Sequence, residues 1–416
     1  MKFNFFSSLS FWVALFAIVL FFRLLGKRPA LRNPLLLASS VLMILCLPGF
    51  TPLYLAGLLI LTAFSYAVGH VLVGCLSQAR PGPRRLIAVF GIFGILGFLA
   101  FYKYGFLRAL LFGHSSRNGG PVSRVALMIG VSYFSFKMIH FVVESYRRKI
   151  DRPSFLNFLI YILFFLPFMS GPINRFNHFT EQVVGQTATS FKQDLASGGE
   201  RIVHGLFKKF VLVQLVFPHV LGNHADALVS LTPGGALLGL YAYALYFYFD
   251  FSGYSDLAIG SARLMGFQLP ENFDNPFLKR NIRDLWTNWH MSLTGWLVDY
   301  IYWPIVRKMR DATYFRQHPV VLSNVGMIIT FIACGMWHGE TINFLLWGAY
   351  HGLGISALTI YQRQKRKVQN PLLQRYFRSR ASAVIGTIAT FNFFSIGLAL
   401  FVLDMAKLKN LVNILF

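Results

Sequence analysis

The chain has 416 residues, of which 55% are hydrophobic and only 13% are charged, and its formal net charge at pH 7 is +24. Soluble proteins carry about 25% charged residues, so this composition excludes an ordinary soluble enzyme. Apolar runs of roughly 20 residues, long enough to cross a bilayer, recur along the whole length. The sequence therefore predicts an all-α polytopic integral membrane protein.

About eleven transmembrane helices are predicted from these apolar runs. The first run has no basic stretch before it beyond Lys2 and no small-residue cleavage site after it, so we expect a retained span rather than a signal peptide. Short interfacial or re-entrant helices are expected to complete the fold and to enclose a polar cavity. The predicted spans are about 4–25, 34–49, 53–75, 86–110, 125–146, 154–172, 204–222, 234–262, 320–337, 341–361 and 382–404.

The polar segments of the chain are too short to form a soluble domain. The longest of them, residues 173–203, cannot build a hydrophobic core of its own. We therefore expect one membrane-embedded domain over residues 1–416. Its predicted parts are peripheral spans in 1–110, a core in about 125–361 that contains the candidate catalytic residues, and a C-terminal span in 382–404.

The basic residues alternate between successive connections. Three Lys or Arg residues lie in connection 26–33, three in 76–85 and four in 147–153. The connections between these contain fewer: none in 49–52 and two in 113–124. Basic loops are typical of the cytoplasmic side, so the N-terminus is expected outside the cytoplasm and the protein in the cytoplasmic membrane. Anionic lipid, and not nucleic acid, is then the expected partner of the positive charge.

The carboxylates are concentrated in the second half of the chain. None precedes residue 144, whereas seven of the 15 lie between residues 250 and 311. Ionisable side chains within a membrane are costly and mark functional residues or buried ion pairs. We expect Asp250, Asp256 and Asp284 to form ion pairs with arginines that lie close in sequence, namely Arg263, Arg280 or Arg283.

Residues 281–300, NIRDLWTNWHMSLTGWLVDY, are predicted to form one amphipathic helix. The aromatic residues, Trp289 among them, fall within an arc of about 80°, opposite a polar face that includes Asn288. Trp and Tyr favour the headgroup level of a bilayer, so we expect this helix at an interface or beside a polar cavity. Packing alone is the alternative role for the tryptophans. His290, at the flank of the aromatic arc, can gain or lose a proton near neutral pH.

The stretch CGMWHGETINFLLWGAYHG, residues 334–352, places His338, Glu340 and His351 among apolar residues. On one unbroken helix the two histidines would lie about 220° apart around the axis, which disfavours a metal site. Gly339 favours a helix break directly after His338, and broken backbone at membrane depth requires protein or water around it. His338 is therefore expected to face an internal polar cavity, where it can act as a general base toward a hydroxyl group.

Two motifs carry a resemblance to a known family. They are Trp289-His290 in LWTNWHMSL, and Trp337-His338-Gly339 followed by FLLWGAYHG. With them, the chain resembles the membrane-bound O-acyltransferases, and within these the bacterial branch that includes alginate O-acetyltransferase and the D-alanyl transferase of teichoic acids. The resemblance implies that His338 is the catalytic residue and that His290 is its partner, with two alternative roles for His290: to orient the acyl donor or to stabilise the developing oxyanion.

The resemblance also implies substrates and partners. An acyl thioester, either acyl-CoA or a phosphopantetheine-linked acyl carrier protein, would reach the cavity from the cytosol, and a hydroxyl acceptor from the other side. No tightly bound cofactor and no metal are implied, and an extracytoplasmic acyl-transfer partner is a further expectation.

His351 is expected mainly to form hydrogen bonds in helix packing, and Glu340 either to tune His338 or to lie in an exposed loop. The weaker candidates for substrate binding or for lining the cavity are Asp256, Asn288, Trp289, Trp337, Glu340 and His351.

Three functions remain open on the sequence. O-acylation, first of all O-acetylation, of an extracytoplasmic polysaccharide or cell-envelope polymer is favoured by FDFSGYSDLAIGSARLMGFQLPENF, residues 249–273, which resembles the acetylases of the family. D-alanyl transfer from a carrier protein toward teichoic acid is the alternative that GVSYFSFK and SGPINRF favour. A transporter or flippase for a lipid-linked sugar is the alternative of another class, in which intramembrane His and Asp residues would serve proton coupling.

Overall fold

The structure, a computed structural model, describes residue 6 and residues 8–25, 28–47, 51–75, 80–112, 130–151, 153–184, 190–221 and 232–415. Within these ranges the regular elements are all helices, and one isolated β-bridge joins Phe273 to Trp289, so the all-α prediction is confirmed. Connection 113–124 lies outside the described residues. So do parts of the predicted connections 26–33, 49–52, 76–85, 147–153 and 173–203 and of the predicted spans 4–25, 34–49, 125–146 and 204–222.

The chain divides into two compact units. The first unit contains Met1–Val203 and Ser255–Pro270. Its helices are α1 (Leu9–Leu25), α2 (Pro29–Leu45), α3 (Pro52–Val73), α4 (Pro81–Lys103), α5 (Gly105–Phe112), α6 (Val131–Tyr146), α7 (Phe155–Leu163), α8 (Phe176–Val184) and most of α9 (Phe191–Leu206).

The second unit contains His204–Tyr254 and Glu271–Phe416. It begins with the last residues of α9, which a π-helical segment, Phe207–Leu212, follows, and a second π-helical segment covers Val298–Tyr302. The helix α11 (Pro233–Leu264) continues from this unit into residues of the first. The other helices of the second unit are α10 (Val213–Val216), α12 (Ile282–Thr287), α13 (Met291–Leu297), α14 (Trp303–Met309), α15 (Thr313–Gln317), α16 (Pro319–His338), α17 (Ile342–Lys367), α18 (Pro371–Arg378), α19 (Arg380–Val402) and α20 (Met405–Leu415).

Four helices of the described residues are long and apolar enough to cross a bilayer. They are Leu53–Val73, Pro81–Lys103, Pro319–His338 and Arg380–Val402. Large apolar side chains on α4, such as Leu86 and Phe93, are each 69% exposed, as side chains that face lipid are. The membrane character of the chain is thus supported, whereas the predicted count of about eleven spans is not confirmed.

The span predicted over residues 154–172 is wrong as a continuous helix. The helix that begins there, α7, ends at Leu163 after 9 residues, which is too short to cross a bilayer. Pro167 explains the end, because a proline ring clashes with the carbonyl group four residues earlier and has no N–H to donate to it. The apolar run continues past this proline, and the helix does not.

Buried ion pairs hold together helices of the first unit. The carboxylate of Asp194 is fully buried and lies 2.6 Å from the guanidinium of Arg23 and 2.8 Å from that of Arg263. Asp256, also buried, pairs with Arg201 at 2.6 Å. The prediction that Asp256 pairs with Arg263, Arg280 or Arg283 is therefore wrong. Asp256 pairs with Arg201 of α9, and Arg263 pairs with Asp194.

Candidate functional site

The helices α16 and α17 form a tightly packed hairpin that carries the second motif. A Cβ atom on Gly335 would lie 2.1 Å from the carbonyl oxygen of Phe344, and one on Gly348 would lie 2.4 Å from that of Phe331. Residues without a side chain are needed where two helix backbones approach this closely. The glycines of CGMWHG and WGAYHG therefore set the spacing of the hairpin that presents His338.

His338 is the last residue of α16. The following residue, Gly339, is extended, and α17 begins at Ile342, so the predicted helix break is present. The imidazole is half-buried, with ring centroids of Phe401 at 4.9 Å and Trp347 at 5.2 Å, both in edge-on contact. These aromatic contacts hold the imidazole at the end of the helix.

The amphipathic helix predicted over residues 281–300 is wrong as one helix. The segment contains α12, α13 and the start of the π-helical segment Val298–Tyr302. A break separates α12 from α13, and there His290 adopts a left-handed conformation with φ 44° and ψ 52°. Residues of the preceding loop replace the helical hydrogen bonds: the Asp274 N–H donates to the Asn288 carbonyl at 3.1 Å, and the Met291 N–H donates to the Asn272 carbonyl at 2.9 Å. The loop thus stabilises a backbone conformation that is rare for residues other than glycine.

Asn272 also fixes the imidazole of His290. Its side-chain oxygen, fully buried, accepts hydrogen bonds from the Ser292 N–H at 3.4 Å and the Ser292 hydroxyl at 2.6 Å. The same oxygen lies 3.3 Å from Nδ1 of His290. Because that oxygen can only accept, Nδ1 carries the proton and Nε2 has the lone pair. Burial lowers the pKa of His290 to about 3, so its ring is neutral at physiological pH.

The lowered pKa of His290 predicts that acid destabilises the protein through this residue. Below pH 6.5 the unfolded chain binds a proton here that the folded protein does not bind until about pH 3, so stability falls as the pH is lowered through this window. Between pH 6.5 and pH 5 the loss is on the order of 2 kcal/mol. Thermal unfolding of the purified protein and of His290→Asn, measured at pH 7.5 and pH 5, should show the larger decrease for the unsubstituted protein. Equal decreases would contradict the prediction.

Both histidines line one cavity of the second unit. Its empty volume is ≈ 930 Å³, the open mouth included. The expectation of a polar cavity is not confirmed, because the lining is mostly aromatic and aliphatic, and Arg283 is the charged residue among those that line it. The lining residues are Phe247, Phe251, Arg283, Trp286, Thr287, Trp289, His290, Leu293, Thr294, Leu297, Val298, Met327, Thr330, Phe331, Cys334, His338, Trp347, Ile355, Phe394, Leu398 and Phe401.

Of the weaker candidates, Trp289 lines this cavity, and the others do not. The side-chain amide of Asn288 donates to the Asp284 carbonyl at 2.8 Å. The ring of Trp337 lies beside that of His338, with centroids 4.5 Å apart. Glu340 is exposed, as the loop alternative predicted.

His351 is fully buried among aromatic rings. Its ring centroid lies 4.9 Å from those of Trp286 and Trp347, and 5.4 Å from that of Phe393. We expected hydrogen bonds for this residue, but among the described residues neither of its ring nitrogens has a hydrogen-bond partner. His351 thus packs against Trp286 and Trp347, two of the residues that line the cavity.

The other predicted ion pairs of the acidic segment also have different partners. Asp250 pairs with Lys209 at 2.5 Å, and Asp284 accepts a hydrogen bond from the Asn281 amide at 2.6 Å. Neither binds Arg283, which donates to two neutral side chains of α17. Proximity in sequence was a poor guide, because packing of separate helices supplies the partner of Asp250.

Two residues of the site were missed by the sequence analysis. Asn272 lies in a turn 18 residues before His290, and no spacing rule connects the two positions. The sequence predicts Arg283 only as a partner for carboxylates, whereas in the structure it lines the cavity. Arg283 lies three residues before Trp286, the first residue of the aromatic stripe, and this spacing could have indicated that it lines the cavity. No sequence pattern indicates the role of Asn272.

Comparison with known proteins identifies the family. The sequence profile of the MBOAT, membrane-bound O-acyltransferase family, matches residues 120–402. A probable alginate O-acetylase AlgI of Pseudomonas syringae pv. tomato is 31% identical over 317 residues, which are 73% of this chain and 57% of that protein. The teichoic acid D-alanyltransferase of Bacillus subtilis is 29% identical over 283 residues, 68% of this chain and 70% of that protein. The peptidoglycan O-acetyltransferase of Helicobacter pylori is 25% identical over 368 residues, 82% of this chain and 65% of that protein.

The aligned part of the chain thus spans little more than half the length of the alginate O-acetylase and about two thirds of the other two relatives. The matched region includes both motif histidines, the Asn272 loop and the α16–α17 hairpin. The profile covers well over half of the chain. The chain belongs to the membrane-bound O-acyltransferase family.

Proposed function

We propose that the protein transfers an acyl group, acetyl in the first place, from a cytosolic thioester to a hydroxyl group of an extracytoplasmic polysaccharide or cell-envelope polymer. The observation that carries the proposal is the placement of His290 and His338 on the wall of one cavity, within the region that the family profile matches. The relatives are named for three polymers, alginate, peptidoglycan and teichoic acid, which is why we propose a polymer as the acceptor.

His338 is proposed as the general base. Its ring is half-buried at the end of α16 and is held by edge-on contacts with Phe401 and Trp347. Because the ring also lines the cavity, a hydroxyl group bound there can reach it. As the acceptor oxygen attacks the thioester carbonyl, His338 takes the hydroxyl proton. The C–S bond then breaks, and the leaving thiolate takes that proton. One ester forms and one thioester is consumed.

His290 is proposed to orient a substrate and not to stabilise an oxyanion. With Nδ1 donating to Asn272, the neutral ring has only a lone pair at Nε2. An oxyanion needs a donor, so this tautomer cannot serve it. The lone pair can instead accept a hydrogen bond from an amide N–H of a pantetheine arm or from the acceptor hydroxyl.

The cavity lining favours acetyl over D-alanyl. A D-alanyl group carries an ammonium at neutral pH, and burying an ammonium without a carboxylate partner is costly. The residues that line the cavity contain no Asp or Glu, and Arg283 would repel a second cation. D-alanyl transfer is the second candidate because the chain is similar to a teichoic acid D-alanyltransferase. The lining of the cavity disfavours this candidate.

The proposed setting is the cytoplasmic membrane, with the N-terminus outside the cytoplasm and anionic lipid around the basic connections. The donor would be acyl-CoA or a carrier protein in the cytosol, and an extracytoplasmic acyl-transfer partner would receive or deliver the group. No tightly bound cofactor takes part in the proposed step. The alternation of basic and less basic connections along the sequence supports this orientation.

The test of the proposed function has two parts. Purified protein should consume acetyl thioester in the presence of a hydroxyl acceptor, and it should consume D-alanyl thioester more slowly. NMR of cell-envelope polymers from a deletion strain should show the loss of an acetyl ester. A transporter would move a lipid-linked sugar without consuming thioester, and loss of a D-alanyl ester would favour the second candidate.

A further inference from the structure

Arg283 is a cation in the cavity wall that no carboxylate neutralises. Its guanidinium donates to the hydroxyl oxygen of Thr359 at 2.5 Å and to the side-chain oxygen of Gln362 at 3.2 Å. Both acceptors are neutral, and in the described part of the chain no Asp or Glu forms an ion pair with this arginine. A half-buried charge without a counter-ion is costly unless a ligand supplies one.

The two hydrogen bonds hold the guanidinium in a fixed position. The Thr359 hydroxyl donates to the Ile355 carbonyl at 2.8 Å, so its oxygen lone pairs are directed to Arg283. The side chain is therefore braced against α17 in the position in which it lines the cavity. A guanidinium has five N–H donors, so these two bonds leave others for a ligand.

The surroundings of Arg283 favour an anion. One turn beyond Gln362, the exposed Arg366 and Lys367 end α17 with further positive charge. The acidic residue nearest in sequence, Asp284, is exposed and bonded to Asn281. Positive charge thus predominates at Arg283 and the end of α17, and a planar guanidinium is the donor that best matches a phosphate group.

We infer that Arg283 binds the phosphate of the phosphopantetheine arm of the acyl donor, while the thioester end of the same arm reaches the two histidines. This inference rests on the proposed function, because it takes the donor to be a phosphopantetheine thioester. CoA and an acylated carrier protein share this arm and its phosphate, so the site serves either donor. Arg283 is thus a positioning residue for the donor and has no part in the proton transfer.

The test measures binding without turnover, so it does not depend on acyl transfer. The probes are 4′-phosphopantetheine and pantetheine, which differ only in the phosphate, titrated calorimetrically into the full protein in neutral detergent. We expect the unsubstituted protein to bind 4′-phosphopantetheine roughly 10- to 100-fold more tightly than pantetheine. In Arg283→Gln this preference should disappear while pantetheine binding is unchanged, and Arg283→Lys should keep part of it because the charge remains.

Arg280→Gln is the matched control. It removes the same charge three residues earlier, from an exposed side chain that does not line the cavity, and should leave the phosphate preference intact. An equal loss in this variant, or a loss of pantetheine binding together with phosphopantetheine binding in Arg283→Gln, would overturn the inference. Glycerol 3-phosphate should compete weakly. Competition as strong as that of 4′-phosphopantetheine would assign the site to a lipid headgroup and also overturn it.

Discussion

Replacement of His338 by alanine is expected to lower acyl transfer by roughly 100- to 10,000-fold, which is the contribution typical of a general base. The reason is that a hydroxyl group at neutral pH is a poor nucleophile until its proton is removed, and His338 is the residue that the α16–α17 hairpin holds half-buried at the cavity. The measurement is the initial rate of thioester consumption by purified protein with a hydroxyl acceptor. Protein level in the membrane should stay unchanged.

A histidine at the other end of α16 provides the control. His318 precedes the first turn of α16, is exposed, and lies outside the cavity lining, so His318→Ala should retain nearly full activity. His338→Gln keeps a side chain of similar size between Phe401 and Trp347, and should be as inactive as His338→Ala if the loss is chemical. If His338→Gln or His338→Ala keeps more than about a tenth of the activity, another group is the base.

The second motif was predictable because its determinants are local. A glycine after His338 indicates a break, and α16 ends and α17 begins within one residue of the predicted positions, although α17 continues to Lys367, beyond its predicted end at 361. The close approach of the two helices at Gly335 and Gly348 also follows from small residues in an apolar sequence. Here the residues that decide the structure are neighbours in the chain.

The first motif was predicted wrongly because its determinants are distant. The amphipathic period of residues 281–300 is genuine, but backbone groups of Asn272 and Asp274 form hydrogen bonds that end the helix near residue 288. Periodicity describes which face of a helix would be apolar, and it contains no information on competing hydrogen bonds from elsewhere in the chain. The same limit applies to Asp256, whose partner Arg201 is 55 residues away.

The character of the cavity shows a different limit. Gly339 and the histidines within apolar sequence predict polar surroundings, yet the residues that face the cavity are mostly aromatic and aliphatic. Composition reports which residues are apolar but not which of them face inward. An apolar wall excludes water, and this strengthens the few electrostatic contacts that His290, His338 and Arg283 can make with a substrate.

Replacement of His290 is expected to separate the role of its imidazole from the role of its backbone. Asparagine tolerates the left-handed conformation that His290 adopts, whereas alanine does not. His290→Asn should therefore keep the thermal stability of the protein at pH 7.5 and lower the rate of thioester consumption by roughly 100-fold, because the substrate loses an oriented hydrogen-bond acceptor.

His290→Ala should lose the same activity and, in addition, about 1–2 kcal/mol of stability from the strained backbone. The difference between the two variants is measured by thermal unfolding at pH 7.5, and the activity of both by the thioester assay. Unimpaired activity in His290→Asn would remove the imidazole from the proposed mechanism. The Asn272 loop forms its hydrogen bonds to the break between α12 and α13 through backbone groups, which neither substitution alters. Equal stability of the two variants would therefore show that this loop alone stabilises the break.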